Sequence, residues 1–487
     1  MLPTDDPFNP VILAKFRGNP STAKKRKKIL FYGHYDVVAA DDLQGKWLTD
    51  PFTLEGIDGY LYGRGTSDNK GPIMAAIFAC AELKSQQSLG ADIVFLIEGE
   101  EECGSRGFAK AVQQSKELIG PVDWILLANS YWLDDRMPCL TYGLRGVIHA
   151  TVQVESSHPD LHSGVDGSSQ LDESLKDLVV LLSKLTGLHG RVEIPGFYEP
   201  IPELTVDEKR LYTDITQALV ARNPGLGDPV ELAASLMRRW REASLTIHKF
   251  QTSGPDNATI IPRLARAALS LRLVPNQETS AVATALTSYL RSEFQKLDSH
   301  NRLTVSIDHQ AEPWLGDVGN QIFQTLEEAI MEVWGPFDKS RRESLVSSPP
   351  DDSALRVTIP KHGSGHFASK PSPTTSTALA NGSVMTPIRD AQKGPSVSTA
   401  TTGGRSTSKE EQHNIEGQAR RKPLYIREGG SIPAIRFLEK EFDAPAAHLP
   451  CGQASDSAHL DNERLRLVNL YKSKEIFYRV FRDLPQK

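Results

Sequence analysis

The sequence of 487 residues lacks several features that would assign it to a common class. It has only four cysteines, Cys80, Cys103, Cys139 and Cys451, and none of them belongs to a CxxC pair. This excludes a disulfide framework and a zinc site built on thiolates, and it fits a reducing compartment, so we expect a cytoplasmic protein. No apolar run approaches the roughly 18–20 residues of a membrane span, so we expect no membrane partner.

An excess of positive charge is also missing. The chain has 55 lysines and arginines against 61 aspartates and glutamates, a formal net charge of −6. Because nucleic-acid binding requires a basic face that neutralises phosphates, a nucleic acid is not an expected partner. A hydrophobic fraction of 39% with 24% charged residues is typical of a soluble globular protein, and the length allows two or three domains.

The first third of the chain alternates strand-like and helix-like stretches. We predict buried strands in ILFYGHYDVV, ADIVFLIEGEEE and VDWILLANS. We predict one helix in GPIMAAIFACAELKSQQ, with Pro72 in its first turn, and a second from Ser105 as its N-cap to Gly120. Such βαβ alternation predicts an α/β fold with a mostly parallel sheet covered by helices, and sites at the carboxyl ends of the strands.

The pattern then changes. ARAALSLRLVP and RLTVSIDHQ alternate apolar and polar residues, as half-exposed antiparallel strands do. We therefore predict an α+β domain over residues 143–311, inserted into an α/β domain formed by residues 1–142, 312–343 and 422–487. Ser, Thr, Pro and Gly dominate residues 344–421, which we predict to be a disordered low-complexity insertion.

One predicted strand ends in a cluster of carboxylates. Glu98, Glu100, Glu101 and Glu102 follow the apolar run IVFLI at once. Clustered carboxylates repel each other and lose hydration at a strand end, so water, basic neighbours or metal ions must compensate them. For Glu98 and Glu100 a solvated or structural role is the simplest interpretation.

Histidines and carboxylates occur near other predicted strand ends as well. His34 and Asp36 lie in GHYD, Asp68 lies in GTSDNKG, and His459 lies in ASDSAHLDNE. A single histidine is usually a core or surface residue, but several such residues at one edge of a sheet are harder to explain in this way. Imidazole and carboxylate together suit Zn²⁺, and two ions about 3.5–4 Å apart can share a bridging carboxylate.

Six segments in this order resemble the M20 family of di-zinc peptidases: GHYDVV, LYGRGTSDNKGP, EGEEECGS, YGLRG, DLHSG and SLRLVP. The resemblance covers nearly the whole chain outside the insertion. It is strongest in the branch of cytosolic dipeptidases acting on Cys-Gly and carnosine-like substrates, and unusual features resemble M20-type subunits of fungal glutathione degradation. It implies a homodimer with an inserted dimerisation or lid domain. The implied activity is metal-dependent hydrolysis of small peptides with a free carboxylate, within glutathione catabolism.

The resemblance also implies a role for each metal ligand. His34 would bind one zinc ion, and Glu102 and His459 would bind the other. Asp68 would bridge both ions, and its peptide bond to Asn69 is expected to be cis.

Further roles implied by the resemblance concern catalysis and substrate binding. Asp36 would orient the first histidine ligand, and Glu101 would be the general base. The implied substrate-binding residues are His162, Arg272, Gly430 and Ser431. His162 would reach the substrate carbonyl across the dimer, and Arg272 would hold the substrate carboxylate. The alternatives are that Asp36 only caps a turn and that Arg272 pairs with a surface carboxylate.

The resemblance breaks at one ligand position. Aligned on Tyr131 and Trp132, Asn129 stands where the dipeptidases have an aspartate ligand. A neutral amide is a poorer zinc ligand than a carboxylate, so we expect weak zinc binding on the His34 side. This supports an alternative function, a catalytically weak M20-like scaffold that binds and activates a glutamine-amidotransferase-like partner. Only 33 residues precede His34, fewer than the family's helical lead-in, so we expect a piece of a longer chain.

Overall fold

The computed structural model describes residues 1–4, 7–19, 26–40, 45–166, 170–335 and 422–486, so the predicted insertion at 344–421 lies outside the described residues. The strands are β1 Ile12–Phe16, β2 Lys28–His34, β3 Glu55–Ile57, β4 Tyr60–Tyr62, β5 Asp92–Glu98, β6 Trp124–Ala128, β7 Cys139–Leu144, β8 Gly146–Glu155, β9 Leu161–His162, β10 Ser244–Thr252, β11 Ile260–Ile261, β12 Leu264–Leu273, β13 Arg302–Ala311, β14 Trp314–Leu315, β15 Leu424–Glu428, β16 Ala446–Leu449 and β17 Arg464–Arg466. The helices are α1 Gly71–Ser85, α2 Phe108–Gln114, α3 Lys116–Ile119, α4 Ser174–Ser183, α5 Val206–Arg222, α6 Pro229–Trp240, α7 Thr279–Gln295, α8 Gln321–Trp334, α9 Pro433–Phe442 and α10 Leu467–Asp483. Within the described residues, none of these helices has both the length and the apolar character that crossing a membrane requires.

The larger sheet has a parallel centre. Its strand order is β1-β5-β2-β6-β16-β7-β14, and β15 pairs with β7. Strands β5, β2, β6 and β16 are parallel to one another, whereas β1, β7 and β14 add antiparallel pairings at the sides. Residues Ile29 to Tyr32 of β2 are all fully buried, and because successive side chains point to opposite faces, both faces are covered. The predicted α/β fold class is confirmed.

The smaller sheet is antiparallel, with strand order β10-β12-β8-β13. Helices α4 and α7 pack against it and form a separate apolar core with it. Along β8 the residues alternate between buried and half-buried from Ile148 to Glu155, so one face lies on that core and the other is open. All four strands come from segment 143–311, whose dimerisation or lid role stays a prediction.

Helices α5 and α6 also belong to segment 143–311, but they pack elsewhere. Tyr212 of α5 and Trp240 of α6 form a third apolar core with residues of β15. In the same region Glu208 of α5 lies 2.7 Å from the guanidinium of Arg427 on β15, and both side chains are almost fully buried. The segment therefore contacts the larger sheet as well as its own, and the exact domain boundaries stay predictions.

The start of the predicted helix from Ser105 to Gly120 is wrong. Helix α2 begins at Phe108, with Gly107 as its N-cap, and the chain breaks once before the short helix α3. Ser105 does not cap the helix because its φ of 54° is left-handed and its hydroxyl donates to Oε1 of Glu98 at 2.9 Å. The predicted end is confirmed, since Gly120 directly follows α3.

Candidate metal centre

The carboxyl ends of the parallel strands bring the predicted ligands together. His34 ends β2 and lies opposite Glu98, the last residue of β5, while Asn129 directly follows β6. Asp68 comes from the segment before α1, and His459 comes from the loop between β16 and β17. Because parallel strands end at the same edge of a sheet, these side chains meet there.

Asp68 lies between the two histidines. Its Oδ1 is 2.9 Å from Nε2 of His34, and its Oδ2 is 3.1 Å from Nε2 of His459. The same His459 nitrogen is 3.1 Å from Oε1 of Glu102. The ligand atoms of His34, Asp68 and Glu102 lie within 4.8 Å of one another, close enough to hold a metal ion. The peptide bond from Asp68 to Asn69 is cis, as the resemblance implies.

Asn69 links two strand ends beneath this cluster. Its Oδ1 accepts the backbone N–H of His34 at 3.3 Å, and its Nδ2 donates to the carbonyl of Ala128 at 2.5 Å. A Cβ atom at Gly33 would lie 2.8 Å from Oδ1 of Asn69, closer than real Cβ contacts allow. The glycine of GHYD therefore leaves the space that Asn69 needs, and the ends of β2 and β6 are held in register.

Asp36 connects two ligands rather than only capping a turn. Its backbone carbonyl lies 3.2 Å from Nδ1 of His34, its Oδ1 lies 3.4 Å from the same nitrogen, and its Oδ2 accepts the backbone N–H of Glu102 at 2.9 Å. A partner on Nδ1 leaves Nε2 of His34 to face the cluster. The orienting role of the Asp36 carboxylate stays a prediction.

Asn129 does not turn its amide oxygen towards the cluster. Its Oδ1 accepts the N–H of Ser130 at 2.6 Å, and its Nδ2 lies 3.4 Å from Nε2 of His34. Its carbonyl accepts a hydrogen bond from Nε2 of the buried His448 at 2.8 Å. Nδ1 of His448 has no hydrogen-bond partner among the described residues, and burial lowers the pKa of this histidine to about 4. Neutral groups therefore occupy this side of the cluster.

Two glutamates of the EGEEE run are paired with protein groups. Glu98 accepts the hydroxyl of Tyr32 at 2.5 Å. Glu100 accepts the side-chain amide of Asn9 at 2.8 Å and Nε of Arg106 at 2.9 Å. Both glutamates are buried. Their role is therefore structural, and solvation does not compensate them.

Glu101 and Glu102 face the cluster instead. The pKa of Glu101 is raised to about 8, and burial is the largest cause. The nearby carboxylates of Glu102 and Asp68 act in the same direction, whereas His34 acts in the opposite direction. A carboxyl that exchanges a proton near neutral pH suits a general base. Burial lowers the pKa of His459, but its hydrogen bonds with Asp68 and Glu102 prevail and raise that pKa to about 10. The cluster therefore stabilises positive charge between its carboxylates, as a metal site requires.

A cavity of about 400 Å³ opens at this cluster. Its lining includes Asp68, Glu101, Glu102, Asn129 and His459, together with Gly430 and Ser431 and the three arginines Arg145, Arg239 and Arg272. Burial lowers the pKa of Arg145 to about 10, and the other two arginines act in the same direction. In the described part of the chain, Arg272 forms no ion pair with a carboxylate, so its guanidinium remains open to an anionic ligand.

Some cavity residues were missed by the sequence analysis. Arg145 lies in the YGLRG segment but had no role attached, and Arg239 comes from α6, a helix that was not predicted. His309 of β13 also lines the cavity, and a Cβ atom at Gly104 would lie 2.9 Å from its ring. His162 is exposed on β9 and does not belong to the cavity lining of its own chain.

The protein-family comparison identifies this architecture. Residues 30–348 match the model of peptidase family M20/M25/M40. The chain belongs to this family. The matched range contains His34, Asp68, Glu101 and Glu102, whereas His459 lies beyond it and is brought next to Glu102 by the fold.

The chain is also similar to individual peptidases of known sequence and to a solved dipeptidase structure. The chain is 36% identical to the probable di- and tripeptidase DUG2 of Saccharomyces cerevisiae, over 99% of this chain and 45% of that protein. It is 32% identical to the Cys-Gly metallodipeptidase DUG1 of the same yeast, over 69% of this chain and 70% of that protein. The solved structure of the yeast dipeptidase Dug1p matches with a TM-score of 0.67 and 26% identity, over 99% of this chain and 83% of that one. The chain thus spans less than half the length of the first of these relatives.

Proposed function

We propose that this chain is a metal-dependent M20 peptidase that hydrolyses small peptides with a free carboxylate, within glutathione catabolism. The observation that carries the proposal is a single cavity that joins the acidic cluster around Asp68 and Glu101 to the guanidinium of Arg272. Peptide hydrolysis needs a group that activates water, and recognition of a terminal carboxylate needs a cation. The name of the Cys-Gly metallodipeptidase relative supports the substrate class, because Cys-Gly is a fragment of glutathione.

The donor set fits two zinc ions. Imidazole nitrogens and carboxylate oxygens are common zinc ligands, and Asp68 turns one oxygen towards each histidine. Asp68, Glu102 and His459 would hold one ion. His34 and Asp68 would hold the other, more weakly, because Asn129 adds no negative charge there.

The chemistry is divided between the ions and the side chains of the chain. When bound, zinc supplies Lewis-acid polarisation of the peptide carbonyl and lowers the pKa of water. Glu101 takes a proton from the attacking water and delivers it to the departing amine nitrogen. Arg272 binds the free carboxylate through parallel N–H bonds, and Gly430 and Ser431 bound the substrate pocket.

Self-association belongs to the same proposal. His162 is exposed on β9 and does not line the cavity of its own chain, so we assign it to the site of a second copy in a homodimer. There it stabilises the oxyanion that forms on the substrate carbonyl. Mixing His162→Ala chains with Glu101→Gln chains should restore part of the activity, since one of the two mixed sites is intact. A mixture as inactive as both parents, under conditions of proven subunit exchange, would exclude action in trans.

A second candidate function rests on Asn129. Its amide oxygen accepts the backbone N–H of Ser130. The His34 side therefore has no carboxylate besides the shared Asp68. In this alternative the chain is a scaffold that binds and activates a glutamine-amidotransferase-like partner, and the partner cleaves glutathione. Loss of Glu101 would then leave glutathione cleavage by the complex unchanged.

The cysteines support a cytoplasmic location. Cys80, Cys103, Cys139 and Cys451 are all free thiols, although one of them is exposed. Free thiols persist in reducing compartments, so we infer that the chain works in the cytoplasm.

Peptide hydrolysis by the purified chain tests the main proposal. The chain is stripped with a chelator, reloaded with zinc, and assayed with Cys-Gly and with the same dipeptide carrying a C-terminal amide. We expect hydrolysis only after reloading, and a loss of at least about tenfold for the amide, because the amide cannot form a charged pair with Arg272. An inactive zinc-loaded chain, beside a partner complex that still cleaves glutathione, would favour the scaffold.

A further inference from the structure

Glu463 is fully buried, and its carboxylate faces the segment that leads to Asp68. Oε2 accepts the guanidinium of Arg64 at 2.8 Å and the backbone N–H of Gly65 at 2.9 Å. Oε1 accepts the backbone N–H groups of Ser67 at 3.0 Å and Asp68 at 3.1 Å. A single side chain thus satisfies three backbone donors at the start of the irregular helical turn Thr66–Lys70.

The hydrogen bonds of Glu463 require a carboxylate. Each of its oxygens accepts two donors. A glutamine has one acceptor oxygen and one NH2 group, so in either orientation two donors would face N–H bonds instead of an acceptor. Arg64 supplies the positive charge that a buried carboxylate needs.

Glu463 also connects two parts of the metal centre that are far apart in the chain. It contacts Asp68 directly and lies four positions after His459 in the same loop. A second contact runs beside it, because Asp456 of this loop accepts the hydroxyl of Ser67 at 3.2 Å. The loop that carries one ligand is therefore fastened to the segment that carries the shared ligand.

We infer that Glu463 is a positioning residue of the metal centre, which holds Asp68 and His459 in the relative placement that two metal ions require. The inference rests on the metal-dependent function proposed above. Because Asp68 is shared, loss of Glu463 should lower the affinity for both metal ions, whereas loss of an unshared ligand should lower the affinity for only one.

Zinc titration of Glu463→Gln, by competition with a chromophoric chelator well below the melting temperature, tests the inference. We expect both zinc affinities to fall about tenfold or more, as losses around metal ligands commonly do. Excess zinc should then restore peptide hydrolysis, since every catalytic group is intact. Because excess zinc also stabilises a chain that is merely less stable, a control variant of equal stability is needed.

Glu439→Gln is the matched control. Glu439 accepts the backbone N–H of Ala446 at 3.2 Å and the guanidinium of Arg436 at 3.0 Å, at the end of β16 away from the site. This variant should bind zinc as the wild type does, even where its melting temperature falls equally.

Each outcome has one meaning. Wild-type zinc affinity in Glu463→Gln, or an equal loss in Glu439→Gln, would overturn the inference while leaving the proposed function intact. A wild-type chain that binds no zinc would overturn the proposed function first, and the inference with it. If Glu463→Gln does not fold, Arg64→Gln is the second variant, because it removes the guanidinium that donates to Glu463. It should lower the affinity for both zinc ions to a smaller extent. Unchanged affinity in this variant would also overturn the inference.

Discussion

The two sides of the metal cluster share Asp68 and each contribute one histidine, but they differ in the remaining residue. On one side, Nε2 of His459 lies 3.1 Å from each of two carboxylates, those of Asp68 and Glu102. On the other side, Nε2 of His34 lies 2.9 Å from Asp68 and 3.4 Å from the amide nitrogen of Asn129. One side is doubly anionic and the other is singly anionic.

This difference shows that a bridging ligand does not make two metal positions equal. Coulomb attraction to a divalent cation grows with each carboxylate, so the unshared residues decide how tightly each side binds. The side of His34 has Asp36 behind it, but that carboxylate faces Nδ1, the ring nitrogen away from the cluster. We therefore expect one tightly bound and one weakly bound zinc ion, and three measurements test this difference.

The largest effect, on peptide hydrolysis, is expected from Glu101→Gln. Glu101 is the proposed general base and belongs to neither metal side. Peptide hydrolysis should fall by about 10²–10⁴-fold, the usual contribution of a general base, while the zinc content stays the same. Turnover with Cys-Gly and metal analysis of the same sample check this. Glu117→Gln, an exposed glutamate on α3, is the control and should keep full activity. A drop in zinc content with Glu101→Gln would mean that Glu101 is a ligand and that our division of the cluster is wrong.

The next effect is the pH dependence of stability that arises from His448, which donates to the carbonyl of Asn129. Burial lowers the pKa of His448 from 6.5 to about 4, so between these values the unfolded chain binds a proton that the folded chain does not. The free energy of unfolding therefore carries no penalty from His448 above about pH 6.5, and it falls as the pH decreases towards 4. The loss reaches about 1.4 kcal/mol at a pH one unit below the unfolded pKa and about 3 kcal/mol at the low end.

Urea unfolding of the metal-free chain at pH 7.5 and 5.5 measures this term. His448→Gln can still donate to the carbonyl of Asn129 but does not titrate, so its stability should depend less on pH than that of the wild type, by about 1.4 kcal/mol between these values. His300→Gln, which removes an exposed imidazole, should keep most of the wild-type slope. Equal slopes for wild type and His448→Gln would show that His448 is not held neutral.

The smallest effect is expected from Asn129→Asp, which makes the two sides alike. A carboxylate at this position should raise the affinity of the weaker zinc ion by about 10–100-fold and leave the tighter ion unchanged. Zinc occupancy at a fixed, low concentration of free zinc should rise from nearer one to nearer two ions per chain. Asn276→Asp adds the same charge at an exposed site and should change neither. Two equally tight ions in the unmodified chain would contradict the asymmetry altogether.

The meeting of two candidate ligands at one edge of the sheet was predictable from a single physical rule. Parallel strands end at one edge, so residues that follow buried apolar runs, such as His34 and Glu102, had to converge there. Asp68 and His459 lie in loops whose path no periodicity specifies, and only the resemblance supplied their roles. The start of α2 was mispredicted for a local reason, since the hydroxyl of Ser105 hydrogen-bonds to a buried carboxylate instead of a helix end.

Other parts of the site depend on contacts between distant segments. In AHLDNE, Glu463 resembles any exposed acid, and its burial follows only from the N–H groups that the turn before Asp68 presents. Helix α5 did carry a signal that was overlooked. Thr205 and Glu208 have the spacing of a capping box, and the hydroxyl of Thr205 accepts the N–H of Glu208 at 3.1 Å.

The packing of α5 on β15 has a mechanical consequence. A domain joined to another only by its two chain crossings can swing as a rigid body about a hinge. Here α5 of segment 143–311 packs on β15, and the ion pair of Glu208 with Arg427 adds a third attachment between that segment and the larger sheet. Strand β15 runs directly into Gly430 and Ser431 in the wall of the cavity. A displacement of α5 would therefore reach the cavity wall through β15.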